Sequence, residues 1–239
     1  MADHKPLYEF SLKDALAHDE RDEWRESYKE NCDCARAIER AISEHYKDNH
    51  LEDCSDEIIK RYGFDRVNWV LANTIQQKDH DGRFSADNKE WAKKRYIPRD
   101  DVRWHFTVES HPVLTNAFVG QVRKAWQDLG LFDHNQCEDG GRVGMNYTGK
   151  VCVLKGTALS EDYRKPEFQL FLAQSGNGCR PDAIGTKVFG KFLADGDKGT
   201  FLRTDFIGVI KDECLPEWAA EKLAELQPNE NEDMIIGGM

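Results

Sequence analysis

The residues best equipped for chemistry in this sequence lie in the run Ser175-Gly176-Asn177-Gly178-Cys179-Arg180-Pro181. Glycines on either side of Asn177 let several backbone N–H groups converge, as in an anion-binding nest. A thiol beside a guanidinium loses its proton more readily and can act as a nucleophile. Such a Cys179 needs a base, and His105, His111 and His134 are the imidazoles on offer. No spacing brings any of them to Cys179, and Gly-Asn-Gly is equally the chemistry of a turn between strands. The turn is the preferred reading. Cys179 and His111 stand as catalytic candidates, and Gly176, Asn177, Gly178 and Arg180 as binding candidates.

Metal chemistry is weaker still. Cys32, Cys34, His45, His50 and Cys54 are metal-ligating types in one stretch. On a helix, however, residues two apart point about 200° from one another, so Cys32 and Cys34 do not share an ion. From Asp79 to Glu90, acidic residues fall at several calcium-loop positions, yet Arg83 sits where a ligand belongs and Phe84 where glycine is needed. No metal and no cofactor are expected. His111, followed by Pro112, also reads as a helix-start residue.

The third chemistry is charge. The chain has 239 residues and a formal charge of −11, spread over both halves. In residues 19–30, Asp19, Glu20, Asp22, Glu23, Glu26 and Glu30 outnumber Arg21, Arg25 and Lys29. An acidic surface of this kind can meet the basic groove of a nucleic-acid enzyme, and Glu23, Glu26 and Glu30 are the candidates to present it. Simple solubility is the bland alternative. No basic block is evident, so direct non-specific nucleic-acid binding is not expected. No apolar run of about 18 residues and no signal-peptide pattern occur, which points to the cytoplasm and away from membranes. Seven cysteines, an odd count, argue against a disulfide framework.

The elements that must position these groups change character along the chain. Ser11 with Asp14 forms a capping-box pattern. Trp24, Tyr28, Asn31, Ala35, Ile38, Ile42 and His45 then alternate by four and three, a single helical stripe. A short helix follows at residues 55–62. Gly63 ends it, Asp65 is the expected cap of the next, and Val67, Val70, Leu71, Thr74 and Ile75 form its apolar face. Asp81-Gly82 breaks that helix, Ser85 caps another and Pro98 closes the region. Beyond it, Val102, Trp104, Phe106 and Val108 alternate with polar residues, which is strand period. A helix from Pro112 to Leu129, a polar loop at 133–149, strands at 151–154, 168–173, 188–193 and 201–210, and a last helix from Pro216 complete the pattern. Asp195-Gly196-Asp197-Lys198-Gly199 marks a hairpin. The expected fold is α+β: a helical domain at 1–98, an α+β domain with an antiparallel sheet at 102–227, and an acidic tail at 228–239.

Three groups of residues carry a family resemblance. They are Trp24-Arg25-Glu26-Ser27-Tyr28 with Asn31 and Cys34-Ala35-Arg36-Ala37-Ile38; Tyr62-Gly63-Phe64-Asp65-Arg66-Val67-Asn68-Trp69-Val70-Leu71-Ala72-Asn73-Thr74-Ile75; and Asp81-Gly82-Arg83-Phe84-Ser85 with Asn88, Trp91-Ala92 and Ile97-Pro98. In these the first hundred residues resemble an uncharacterised domain family carried by conjugative and other mobile elements of Gram-positive gut bacteria. The second half is similar to companion segments on the same elements, through Gly149-Lys150-Val151, Gln169-Leu170-Phe171, residues 176–181, Val188-Phe189-Gly190, Asp195-Gly196, Asp205-Phe206-Ile207-Gly208 and Leu215-Pro216-Glu217-Trp218. The family brings no catalytic residues. The resemblance implies an accessory protein of a mobile element, which blunts host restriction or CRISPR immunity by binding a host nuclease or CRISPR effector. The alternatives are an enzyme that uses the 176–181 loop to modify a nucleotide or protein, and a conjugative-transfer adaptor.

Overall fold

The computed structural model describes residues 4–100, 102–138, 144–181, 183 and 185–226. Two units divide between Asp128 and Leu129. The fold is α+β, with helices in the first unit and a five-stranded antiparallel sheet in the second.

Helix α1 (Leu12–His18) starts on the expected capping box: Ser11 accepts from the Asp14 amide and the Asp14 carboxylate accepts from the Ser11 amide. Helix α2 (Arg21–His45) buries Asn31, Ala35, Ile38 and Ile42 of the expected stripe, and Cys34, Ala37 and Ala41 widen it. The widening follows from its neighbours, because α2 packs against α3 (Ser55–Tyr62), α4 (Phe64–Gln77) and α6 (Pro112–Asp128) together. Between α2 and α3 a small hairpin, β1 (Tyr46–Lys47) and β2 (His50–Leu51), turns on Asp48 and Asn49, both at positive φ. That is the geometry of a two-residue hairpin loop.

Helix α4 is the axis of the unit. Every residue from Arg66 to Ile75 is buried, polar ones included. Gly63, at φ 80°, ends α3 by donating to the Ile59 carbonyl. Asp65 does not cap α4; it lies inside the first turn, and Gly63 holds the cap position. Ser85 does cap α5 (Ala86–Lys93), accepting from the Asn88 amide at 3.2 Å.

Residues 102–108 are not a strand. Arg103–Phe106 forms a 3-10 turn. The reason lies in α4: Asn73 Nδ2 donates to the Arg103 carbonyl at 2.6 Å, and Thr74 Oγ1 accepts from the Val108 amide at 2.9 Å. Side chains of a neighbouring helix thus satisfy backbone groups that a strand would offer to another strand. Phe106 and Val108 are buried while Trp104 is 64% exposed, so the apparent alternation does not divide two faces. The unit boundary falls correspondingly later than Pro98. Phe118, Val119 and Val122 of α6 belong to the first unit's core with Ile38, Val70 and Leu71.

In the second unit the strands β3 (Val151–Leu154), β4 (Leu170–Ser175), β5 (Lys187–Phe192), β6 (Lys198–Leu202) and β7 (Phe206–Val209) are ordered β6-β5-β4-β3-β7. Each neighbouring pair is antiparallel. A four-residue helix α7 (Pro166–Gln169) leads into β4, and α8 (Glu217–Leu226) comes last. Both sheet faces are covered. Cys152, Leu154, Phe171 and Val188 pack on one side, and Val151, Val153, Leu170, Leu172 and Ala219 of α8 on the other. The stretch 201–210 is two strands, β6 and β7, at opposite edges of the sheet. A 3-10 turn, Arg203–Asp205, separates them, held where the Asp205 carboxylate accepts from the Leu202 amide at 2.7 Å. The acidic tail at 228–239 lies outside the described residues, as do positions 139–143 of the polar loop. Among the described residues no helix is long and apolar enough to cross a membrane.

Candidate functional site

Two of the three acidic candidates meet at a groove on the helical unit. Its volume is about 480 Å³. One wall is the segment before α1, with Lys5 and Glu9 beside Pro6, Leu7, Tyr8 and Phe10; the other is Glu20 and the first turns of α2, with Glu23, Glu26 and Ser27. Positions 20, 23 and 26 recur every three residues, so their carboxylates rise along one side of the helix. Glu23 and Glu26 are exposed and make no ion pair or hydrogen bond among the described residues. Phe10 is 65% exposed, leaving an apolar surface beside free carboxylates. A recess of about 20 Å³, room for roughly one water, adjoins the groove through the shared Tyr8, Phe10 and Ser27 and is walled by Trp24, Tyr28 and Trp69. Trp24 and Tyr28 stack at 5.2 Å with their rings 3° apart.

Buried polar groups hold the two walls together. Arg66 reaches from α4, donating through Nη1 to the Ser27 carbonyl at 2.9 Å and through Nη2 to the carbonyls of Lys5 at 3.0 Å and Pro6 at 2.8 Å. The Tyr8 amide donates to Ser27 Oγ at 2.9 Å, and the Tyr8 hydroxyl to Glu20 at 2.7 Å. Glu30 differs from its two companions. Its side chain is only 19% exposed, pairs with Lys5 at 2.5 Å and does not line the groove.

The loop 176–181 is built as a structural turn of the second unit. Residues Asn177–Cys179 form a 3-10 turn, and Gly176 at φ 108° would place a Cβ 2.4 Å from the Lys187 carbonyl oxygen. Only glycine fits there. Arg203 donates to the Gly178 carbonyl at 2.7 Å and to the Met145 carbonyl at 2.8 Å, with its guanidinium 3.9 Å from the Tyr147 ring centre. Cys179 is buried and donates its thiol to the Ser175 carbonyl at 3.1 Å. Burial pushes that thiol's pKa up, against a hydrogen bond to Thr148 and the charge of Arg203. His111 lies in the other unit, where its carbonyl accepts from the amides of Leu114 and Thr115 at the start of α6. His105 hydrogen bonds the Tyr28 hydroxyl at 2.7 Å through Nδ1. Among the described residues of the second unit, no imidazole or carboxylate hydrogen bonds the Cys179 thiol. A raised thiol pKa and a buried position predict that brief alkylation of the folded protein at neutral pH spares Cys179 and that Cys179→Ser leaves any binding activity unchanged. Mass spectrometry of the alkylated peptides and a binding assay check both.

The metal-type residues are dispersed as well. Cys34 is buried in the helical core, its thiol pushed up to about 12 by burial. The Cys54 amide donates to Gln121 Oε1. Arg83 clasps Asp81 through Nε and Nη2 in the turn that leads to α5, so that carboxylate is already engaged by a cation. Among the described residues no three His, Cys, Asp or Glu side chains converge as metal ligands.

A second groove, which charge counting along the chain does not reveal, gathers Lys89, Lys93, Arg99 and Arg103 on the helical unit. Its signal in the sequence is the i,i+4 spacing within each pair of cations, masked by the overall negative charge.

The fold and its grooves define a two-unit α+β protein whose helical unit carries the shaped, charged surfaces. Residues 7–127, about half of the chain, match the family described as protein of unknown function (DUF3849), and the chain belongs to that family. Both grooves are lined mainly or wholly by residues of the matched segment. No curated protein and no solved structure matches the chain.

Proposed function

We propose that this protein is a binding module that captures a basic segment or surface of a partner in the groove between residues 5–10 and helix α2. The observation that carries the reading is the pairing of free carboxylates, Glu23 and Glu26, with an exposed apolar wall that includes Phe10. Carboxylates alone would be solvated surface, and apolar side chains alone would admit any greasy patch. Together they select a cation carried on an aliphatic or aromatic stem, as Lys and Arg are. The partner class that fits is a nucleic-acid enzyme with a phosphate-binding cleft. In the mobile-element setting implied by the first hundred residues, that partner is a host nuclease or CRISPR effector, inhibited by occupation of the cleft.

The test is inhibition of purified bacterial nucleases and CRISPR effector complexes by the full chain, across a salt series. Attraction between exposed charges is screened within about 8–10 Å near physiological ionic strength, so inhibition should weaken as salt rises. Reversing Glu23 and Glu26 to Lys should weaken it by about tenfold or more at low salt, without loss of fold. Glu30→Lys is unsuitable as a probe, because it would place a second cation against Lys5. Inhibition that survives the double reversal at full strength removes the groove from the mechanism. No inhibition of any nuclease or effector, with no other basic protein captured, removes the reading altogether.

A further inference from the structure

The second groove has a volume of about 510 Å³ and lies between α4, α5 and the segment that follows α5. Lys89 and Lys93 come from one face of α5, Arg99 from the segment after it, and Arg103 from the 3-10 turn. One carboxylate, Asp79, lines it with them. Lys89 donates to the Asp79 backbone carbonyl at 2.6 Å, and Lys93 approaches its carboxylate at 3.8 Å. The two arginines have no carboxylate within ion-pair distance among the described residues. Arg103 is oriented by neutral amides instead: Nε donates to Asn73 Oδ1 at 3.0 Å and Nη2 to Gln76 Oε1 at 2.9 Å. Gln76 is itself held by donating to the Ala92 and Arg95 carbonyls, both at 2.8 Å. Burial lowers the Arg103 pKa, and the nearby Arg99 charge lowers it further, against Asp100. Two guanidiniums that line one groove, one of them pre-oriented by amides, favour an anion between them.

The remaining lining is apolar and aromatic. Ile75, Ala92 and Ile97 line it as buried side chains, and Tyr96, 84% exposed, lines it with an open ring. A volume of this size lies within the range for small-ligand sites. We propose that the groove binds a nucleotide, with Arg99, Arg103 and Lys93 on the phosphates and the Tyr96 ring stacked on the base. The acidic groove is lined by residues 5–10, 20, 23, 26 and 27, so the two sites share no lining residue and stand or fall separately.

Calorimetric titration of the full chain with adenosine and guanosine mono- and triphosphates tests this, with inorganic phosphate and the free nucleosides as reference ligands. Saturable one-site binding is expected for at least one nucleotide, and it should weaken as salt rises. Arg99→Ala should lower its affinity by about tenfold, the loss of one charge-assisted contact. Tyr96→Ala should lower nucleotide affinity by about fivefold while leaving phosphate binding unchanged. Both side chains are exposed, so neither variant threatens the fold. Glu23→Lys should leave nucleotide binding intact, which separates this site from the acidic groove. No saturable binding by any nucleotide overturns the proposal. So does equal affinity for phosphate and nucleotide.

Discussion

Arg66→Met should destabilise the helical unit by about 3 kcal/mol and release residues 5–8 from helix α2. Arg66 is 2% exposed and anchors three backbone carbonyls, those of Ser27, Lys5 and Pro6, along with the Asn31 side chain. Methionine fills much of the same volume but donates nothing. Each acceptor left dry inside the unit costs about 1–3 kcal/mol, moderated where the freed segment lets water in. Five of the six tryptophans, at 24, 69, 91, 104 and 126, lie in this unit, so urea unfolding followed by fluorescence reports on it directly. Amide exchange at Tyr8, whose N–H donates to Ser27 Oγ, should quicken as the segment detaches. The same variant should lose binding in the acidic groove, because one wall is no longer placed against the other. Unchanged stability and unchanged Tyr8 protection would show that the segment is held by other contacts.

Gly190→Ala should cost about 3 kcal/mol or more in the sheet unit, the largest loss expected from a single added methyl. Gly190 in β5 is paired with Gly199 in β6, and the Phe171 ring lies beside both. A Cβ at 190 would sit 2.0 Å from the Leu172 carbonyl oxygen and 2.6 Å from the Phe171 ring. The first obstacle is backbone of the neighbouring strand, which has no rotamer to change. Phe171 is fixed too, packed edge-on against Phe192 and Phe201 with ring centres 5.4 and 5.3 Å away. Such overpacking has to open the β4–β5 ladder or drive the ring out. Gly196→Asn is the control. It has φ 79° and nothing within 4 Å of a built Cβ, and Asn tolerates the left-handed region, so the cost should stay under about 1 kcal/mol. Thermal melts of the two variants, followed by circular dichroism, compare them. Equal melting temperatures would mean that the sheet absorbs the methyl.

The two glycines also show what chain-local signals reach. Gly196 announces a turn through its neighbours Asp195 and Asp197, and the hairpin is where that pattern puts it. Gly190 has no local signature, because its need for glycine comes from strand β4 and the Phe171 ring, some twenty residues away.

The same division runs through the whole protein. Caps, turns and helical stripes act over three to seven residues, so the Ser11 box, the Ser85 cap, the burial of the α2 stripe and the apolar face of α4 were legible in the sequence alone. The acidic run on α2 was legible too, since its residues share a helix. Residues 102–108 were not, because Asn73 and Thr74 of α4 take their backbone hydrogen bonds and make a turn of a strand pattern. The placement of α6 with the first unit rests on where Phe118, Val119 and Val122 pack, which periodicity does not encode. The grooves belong to the same class. Glu23 and Glu26 line a groove only when Arg66, some forty residues away, fixes residues 5 and 6 opposite them. Lys89, Lys93, Arg99 and Arg103 line another only when the chain turns back after α5 and Asn73 and Gln76 orient the last of them. Local patterning determined the elements and their charged faces. Tertiary hydrogen bonds from buried polar side chains, which leave no periodic trace, decided which faces confront each other.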